Sequence, residues 1–249
     1  MRRFFIQKEN ISENRGLIQG DEARHMIQVL RLKAGDQVIL LDGEGGEYLA
    51  TLSEVQEKTV YLTLTPTTTE KRADLPAITV CQAFLKEKKM DEMVRPLTEL
   101  GMARFQAFFS QRVVARPKGE KLEKRKGRWE KIAMEAMKQC GRASAPEISK
   151  AIEMRELLKQ LPSGESILKL LFWEEAQVSF KEIEAMKLNE KGLSDIFLMI
   201  GPEGGFTQEE AELAKENGFF IAGLGCRILR AETAPITALS LTQYLFGDL

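Results

Sequence analysis

The sequence predicts an α/β protein: a β-rich N-terminal part of about 70 residues, then a larger part in which strands and helices alternate. Three observations carry this. Residues 1 to about 70 hold short runs rich in β-branched and aromatic residues, "RRFFI", "DQVILLD", "GEYLATLSEV" and "KTVYLTLT". From residue 77 the strand-length runs "AITVCQAF", "FQAFFS", "SILKLLFW", "DIFLMI" and "FFIAGL" are separated by helical patterns, the rhythm of a largely parallel sheet. And "DIFLMI" lacks polar alternation after Asp195, as a central strand buried on both faces does.

The elements follow in order. "DEARHMIQVLR", residues 21–31, has an acidic start and a basic end that complement a helix dipole. "DGEGGE", residues 42–47, reads as a hairpin loop, its glycines supplying positive φ. "TPTTTEKRADLP", residues 65–76, is polar, proline-bearing and without apolar periodicity. It divides the chain into expected domains 1–70 and 77–249 joined by a linker at 71–76. A helix over about 87–100 places Met90, Met93, Val94, Leu97 and Leu100 on one face, with a kink or broken start expected at Pro96. "KLEKRKGRWEKIAMEAMKQCGR" is the strongest helix, its stripe being Trp129, Ile132, Ala133, Ala136, Met137 and Cys140. Thr207 with Glu210 forms a capping box, so a helix starts near Gln208 and ends at Gly218. Thr233 is the expected N-cap of a last helix, with Pro235 in its first turn and Ile236, Leu239, Tyr244 and Leu245 packing it.

Composition limits the function. The chain has 249 residues, 43% hydrophobic and 29% charged, with a net charge of −1. That is the profile of a globular protein, and bulk charge gives it no affinity for polyanions. Charge is uneven, however: residues 104–142 hold twelve Lys/Arg against four Glu, a local cation patch of the kind that meets phosphates. The three cysteines, Cys81, Cys140 and Cys226, form no CxxC pair, so no metal is expected and a reducing compartment is. No signal-peptide pattern and no long apolar run occur, which gives a cytoplasmic expectation.

The chemistry concentrates in "LMIGPEGGFTQEE", residues 198–210. A buried strand, a glycine loop and a capped helix form the geometry that binds ligands at the carboxyl edge of an open α/β sheet. The loop lacks the Lys-Ser/Thr pair of a phosphate loop and the G-x-G-x-x-G spacing of a dinucleotide site, and Glu203 would repel phosphate. Either it holds a ligand that is not phosphate-rich, or it is a ligand-free turn. A second strand ends in "GLG", residues 223–225. "CRILRAETAP" then brings Arg227 and Arg230 close to Glu232 in sequence.

Together, "IGPEGGFTQEE" and "LGCRILRAETAP" resemble the C-terminal signature of the bacterial ribosomal RNA small subunit methyltransferase E family. "KEKKMDEMVRPLTELG", "EAMKQCGRASAPEI" and "HMIQVLRLKAGDQVILLDGEG" resemble further segments of it, so the likeness spans essentially the whole chain. The resemblance implies a SPOUT-type C-terminal domain, an open, largely parallel α/β sheet with a deep trefoil knot over roughly 196–240. It also implies an N-terminal PUA-like β-barrel that binds RNA. The implied activity is S-adenosylmethionine-dependent methylation of a uridine at N3 in small-subunit (16S) ribosomal RNA, free or in the assembled subunit, by a homodimer formed through the knotted domain, with no metal and no membrane.

Carried over by residue, the donor pocket consists of Ile200, Gly201, Pro202, Glu203, Gly204 and Gly205, then Leu224 and Gly225, then Ile228, Leu229 and Arg230. Uridine N3 carries a proton that must leave, so Arg230 and Glu232 are catalytic candidates, as electrostatic stabiliser and as orienting or proton-accepting partner. A structural ion pair between them is the alternative. RNA contacts are expected from Arg112, Arg116, Lys118, Lys124, Arg125, Lys126 and Arg128, from Gln139 and Arg142, and from Arg2, Arg3 and Arg31. His25, the only histidine, serves either RNA contact or structure. Two other functions stay open: a non-catalytic RNA-binding or ribosome-assembly dimer, and a SPOUT methyltransferase acting on tRNA or a ribose hydroxyl.

Overall fold

The structure is a computed structural model that describes residues 1–66, 75–86, 88–182 and 192–249. Most of the expected linker, 71–76, lies outside the described residues. The chain forms two compact units, residues 1–71 with 134–145, and residues 72–133 with 146–249.

The first unit holds a six-stranded sheet of β1 (Arg3–Phe5), β2 (Ile11–Ser12), β3 (Arg15–Gln19), β4 (Gln37–Leu41), β5 (Glu47–Gln56) and β6 (Thr59–Pro66). The order is β1-β4-β5-β6-β3-β2. Only β1 with β4 is parallel. Val38 and Leu40, Ala50 and Leu52, and Val60, Leu62 and Leu64 are all buried. This two-residue spacing turns one face of each strand to the core. Residues 42–47 form the expected hairpin connection. The Asp42 carboxylate accepts the N–H groups of Glu44 and Gly46, each at 2.8 Å.

Sequence reading missed β2 and β3. In β3 the inward positions are Gly16 and Ile18, and a side chain at Gly16 would stand 2.9 Å from the Ile6 methyl. A glycine on the core face erases the alternation that marks a strand. The helix expected over 21–31 is also shorter. α1 spans Gly20–Arg24 and gives way to a wider π turn over His25–Val29, where β-branched Ile27 and Val29 disfavour tight α winding.

In the second unit six parallel strands, β7 (Ala77–Ala83), β8 (Arg104–Phe109), β9 (Glu147–Glu153), β10 (Ile167–Phe172), β11 (Asp195–Ile200) and β12 (Phe220–Ala222), lie in the order β12-β10-β11-β7-β8-β9. Helices described from residue 77 onward include α2 (Lys89–Glu99), α3 (Glu120–Cys140), α4 (Met154–Gln160), α5 (Gln208–Glu216) and α6 (Ala234–Phe246). The apolar run of β11 is buried from Ile196 to Ile200, as a strand flanked by β7 and β10 must be. Trp129, fully buried, packs on Phe84 and Phe105 and donates its indole N–H to Asp91 at 2.8 Å.

Four expectations are corrected here. α2 runs through Pro96 without interruption, and Leu100 N–H still reaches the Pro96 carbonyl at 2.9 Å; the proline leaves only the Glu92 carbonyl without its helical donor. β9 went unseen because a register shift beside Gln106–Phe108 sets its buried residues Ile148 and Ala151 three apart. Thr233 stands at the N-cap of α6, but its backbone is already helical (φ −86°, ψ −38°) and its hydroxyl caps nothing. Tyr244 is 72% exposed and does not pack that helix. By contrast, the Thr207–Glu210 capping box forms in full, with Glu210 N–H on the Thr207 hydroxyl and Thr207 N–H on the Glu210 carboxylate.

Candidate functional site

In a parallel sheet every strand ends at one edge, so the loops that follow the strands gather there. Gln82, Ile200, Phe172 and Ala222 stand in register across β7, β11, β10 and β12 at that edge. Beyond them lies a cavity of about 520 Å³, a size that suits a small ligand. Its walls include Ile200, Gly201, Pro202, Glu203 and Gly205, then Leu224 and Gly225, then Ile228, Leu229, Arg230 and Glu232. The three segments singled out in the sequence thus meet around one space. Gly204 is the exception: it is off the wall, and its carbonyl accepts a 2.8 Å hydrogen bond from Arg112 Nη1.

The glycines divide into two kinds. At Gly205 the backbone is left-handed (φ +66°) and an added Cβ would lie 2.1 Å from Glu174 Oε1. At Gly201 it would press at 3.2 Å on the Phe206 ring. Gly201 is thus required by the packing of Phe206 from the same loop, and Gly205 by its left-handed backbone beside Glu174. The Gly201 carbonyl is pinned in turn by Gln82 Nε2 at 3.0 Å. Gly223 and Gly225 line the cavity with open space where a side chain would stand: the nearest atom to an added Cβ is 3.8 Å away at Gly223, and none lies within 4 Å at Gly225. They form the cradle that a side chain would fill.

The charged groups on the wall are Lys89, Glu174, Glu203, Arg227, Arg230 and Glu232. Lys89 Nζ lies 3.4 Å from Glu203 and 3.3 Å from Glu232. The latter contact is an ion pair without hydrogen-bond alignment, and the buried Glu232 Oε2 has no hydrogen-bond partner. Burial acts to lower the Lys89 pKa, but Glu232 and then Glu203 outweigh it and hold the ammonium above its usual 10.5. For Glu203 burial acts upward. Its own backbone N–H, that of Lys86 at 3.2 Å and the Lys89 ammonium outweigh it and hold the carboxyl below its usual 4.5. Glu203 therefore staples the glycine loop to the segment before α2. The Arg230–Glu232 ion pair considered as an alternative is not formed. Arg230 is exposed, its carbonyl accepts from Thr233 and Ala234 at 2.9 Å, and Glu232 pairs with Lys89 instead.

Sequence reading missed Lys89, Phe172, Trp173, Glu174 and Ala176, all on the wall. The signal for the last four was the end of "SILKLLFW", unusable until β10 is known to lie beside β11. Trp173 is 8% exposed, and its buried indole N–H has no partner among the described residues.

The expected RNA contacts are spread over both units. In the first, Arg2, Arg3, His25, Arg31 and Gln139 are exposed and Arg142 is half-buried. His25 meets the Phe4 ring edge-on at 6.1 Å, and Arg31 has a left-handed backbone (φ +53°). In the second, much of the positive charge is already engaged. Arg112 holds Gly204, Arg116 binds Glu153 and the Ser110 carbonyl, and Arg128 pairs with Asp91 at 2.9 Å. Lys124 and Lys126 pair along α3 with Glu120 and Glu130, Arg125 lies 5.5 Å from the Phe84 ring centre, and Lys118 is exposed. The excess of cations counted in the sequence therefore overstates the free charge of this segment.

Among the described residues no group of three or more His, Cys, Asp or Glu could hold a metal ion, and no helix is long and apolar enough to cross a membrane.

Comparison with known proteins identifies the fold. The family described as RNA methyltransferase domain matches residues 71–243, and RNA methyltransferase PUA domain matches residues 18–65. The ribosomal RNA small subunit methyltransferase E of Bacillus subtilis is 32% identical over 248 residues, covering 98% of this chain and 96% of that one. That of Synechocystis is 32% identical, covering 96% and 76%. The crystal structure of a ribosomal RNA small subunit methyltransferase E from Neisseria gonorrhoeae bound to S-adenosyl methionine superposes with a TM-score of 0.85 at 30% identity, covering 100% and 99%. A putative methyltransferase from Legionella pneumophila in complex with the bound cofactor SAM gives 0.84 at 29%, covering 99% and 98%. The fold is an α/β SPOUT methyltransferase fold with an N-terminal PUA-like domain. With both domains matched and relatives aligned end to end, the chain belongs to the ribosomal RNA small subunit methyltransferase E family.

Proposed function

We propose that this protein methylates small-subunit (16S) ribosomal RNA at N3 of a uridine, using S-adenosylmethionine. The observation that carries the reading is the cavity of about 520 Å³ at the carboxyl edge of the sheet, where the loop 200–205 and the segment 223–232 meet Lys89 and the end of β10. The cavity fits the donor in two ways. Gly223 and Gly225 leave an open cradle, and the one charged side chain of the glycine loop, Glu203, is a carboxylate rather than a phosphate-binding cation. The residues that hold the donor are Ile200, Gly201, Pro202, Glu203 and Gly205, with Leu224, Gly225, Ile228, Leu229 and Arg230.

When bound, S-adenosylmethionine supplies a methyl group on a sulfonium that leaves as an uncharged thioether. The protein's part is placement, which accounts for up to ~7–11 kcal/mol of a barrier in favourable cases, and handling of the N3 proton. Glu232 accepts that proton as N3 attacks the methyl carbon, and Arg230 stabilises the negative charge developing on the uracil ring. The exposed Arg2, Arg3, Arg31 and Lys118 hold RNA phosphates. A knot over roughly 196–240, dimerisation through that domain and a cytoplasmic location complete the reading.

The test is to incubate the protein with labelled S-adenosylmethionine and small-subunit particles, then digest the RNA for mass spectrometry. N3-methyluridine is the expected product. A methylated ribose, or label in transfer RNA alone, would reassign the substrate, and no label in any RNA would leave a binding or assembly protein.

A further inference from the structure

Lys89 occupies a position that helix physics disfavours. It is the first residue of α2, where the positive end of the helix dipole repels a cation. Two carboxylates compensate, and each comes from a different segment: Glu203 from the loop after β11 and Glu232 from the approach to α6. One ammonium thus joins three walls of the cavity, with its side chain only 32% exposed and those of Glu203 and Glu232 at 29% and 22%.

Both carboxylates lie within ion-pair reach of one nitrogen, so they also lie close to each other. Without a cation between them, two like charges in a partly desolvated site hold on to a proton. A carboxylate that already carries a proton cannot take another from a nucleobase. The other charged groups lining the cavity do not replace Lys89. Glu174 adds negative charge, and Arg227 and Arg230 are exposed with no ion pair to Glu232.

We propose that Lys89 is a positioning residue for methyl transfer: it separates and fixes Glu203 and Glu232, so that Glu232 stays ionised and faces the departing N3 proton. The proposal rests on the reading of the cavity as the methyl-transfer site. In the step it serves, the N3–H bond breaks and its proton passes to Glu232 as the N3–carbon bond forms and the carbon–sulfur bond breaks. Lys89 neither gains nor loses a proton.

The test compares Lys89→Met, Lys89→Arg and the double variant Lys89→Met/Glu203→Gln in the full chain. Methyl transfer to small-subunit particles is followed from pH 5 to 9. In Lys89→Met the acid limb of the kcat profile moves up by about one pH unit, the lower end of the effect of a neighbouring charge. Lys89→Arg keeps the limb in place, and removing the second carboxylate in the double variant brings it back. Two readouts do not depend on turnover. Calorimetry gives a donor Kd within about threefold of wild type in Lys89→Met and Lys89→Arg. Carbon-13 NMR of labelled glutamate shows Glu203 titrating at higher pH in Lys89→Met. An acid limb that stays put in Lys89→Met, or moves without returning in the double variant, overturns the proposal. Loss of donor binding in Lys89→Met with recovery in Lys89→Arg also overturns it, by assigning Lys89 to the donor pocket. Failure of the wild type to bind the donor or methylate RNA defeats the underlying reading instead.

Discussion

Arg112 donates from Nη1 to the carbonyl of Gly204 at 2.8 Å, across 92 positions of sequence. The residue counted as an RNA cation from composition thus holds the back of the glycine loop whose front lines the cavity. A hydrogen bond to a charged group contributes about 1.5–3 kcal/mol; solvent exposure of the arginine reduces that. Arg112→Ala is expected to weaken donor binding about three- to tenfold by calorimetry, while the salt dependence of RNA binding keeps its slope. A reduced slope with unchanged donor affinity would return Arg112 to the RNA interface.

Two glycines on one cavity wall should fail differently. Gly205→Ala meets Glu174 Oε1 and a left-handed backbone, so it loses thermal stability by about 1–3 kcal/mol. Adding Glu174→Ala recovers part of that loss, a coupling that a double-mutant cycle in denaturant measures. Gly223→Ala meets no atom nearer than 3.8 Å and no left-handed backbone, and adds a side chain on the cavity wall. Its larger effect is on donor Kd, at least tenfold. Equal stability losses with equal donor affinities would contradict this division.

The cysteines offer a probe that needs no mutation. Cys81 is fully buried, and burial pushes its thiol up to about 12, where the reactive thiolate is scarce. Cys226 is exposed and lines the cavity. Native alkylation mapped by mass spectrometry should label Cys226 and spare Cys81, and saturating S-adenosylmethionine should slow labelling at Cys226. Labelling unaffected by the donor would place the donor elsewhere.

Glu203 sets an acid-side dependence of stability. Its folded pKa lies below 4.5, so on acidification the unfolded chain takes up the proton first. The stability it contributes is whole above about 4.5 and is lost as pH falls through the lower folded value. Urea denaturation of wild type and Glu203→Gln should therefore show a larger difference at pH 7 than at pH 3. A difference that does not shrink on acidification argues against the staple.

How much was legible depends on whether a signal is local. The capping box at Thr207 and Glu210 needs only four residues, and the burial of "DIFLMI" shows in its composition. β9 and β3 were hidden because a register shift and an inward glycine removed the alternation that marks a strand. At the site, the glycine loop and "GLG" could be read locally because each follows a strand, whereas the grouping of three segments around one donor came from the family resemblance. Lys89, Trp173 and Glu174 could not, since they join the cavity only through strand order. Thr233 shows the reverse case, a correct position whose expected hydrogen bond the local backbone angle prevents.

The placement of β11 between β7 and β10 has a consequence for biosynthesis. Gln82 and Gly201, hydrogen-bonded at the sheet's edge, are 119 residues apart. During translation β7, β8 and β9 emerge early and can pair, but the inner flank of β7 has no neighbour until β11 leaves the ribosome. Until then two apolar strand edges stand open, the condition under which nascent chains associate wrongly. Closing so long a loop is slow relative to local pairing, so the central slot of the sheet is filled late. The cavity, whose walls follow β11 and β12, cannot exist before that event, and a chain stalled short of residue 195 would be an aggregation hazard and a natural client for a ribosome-associated chaperone.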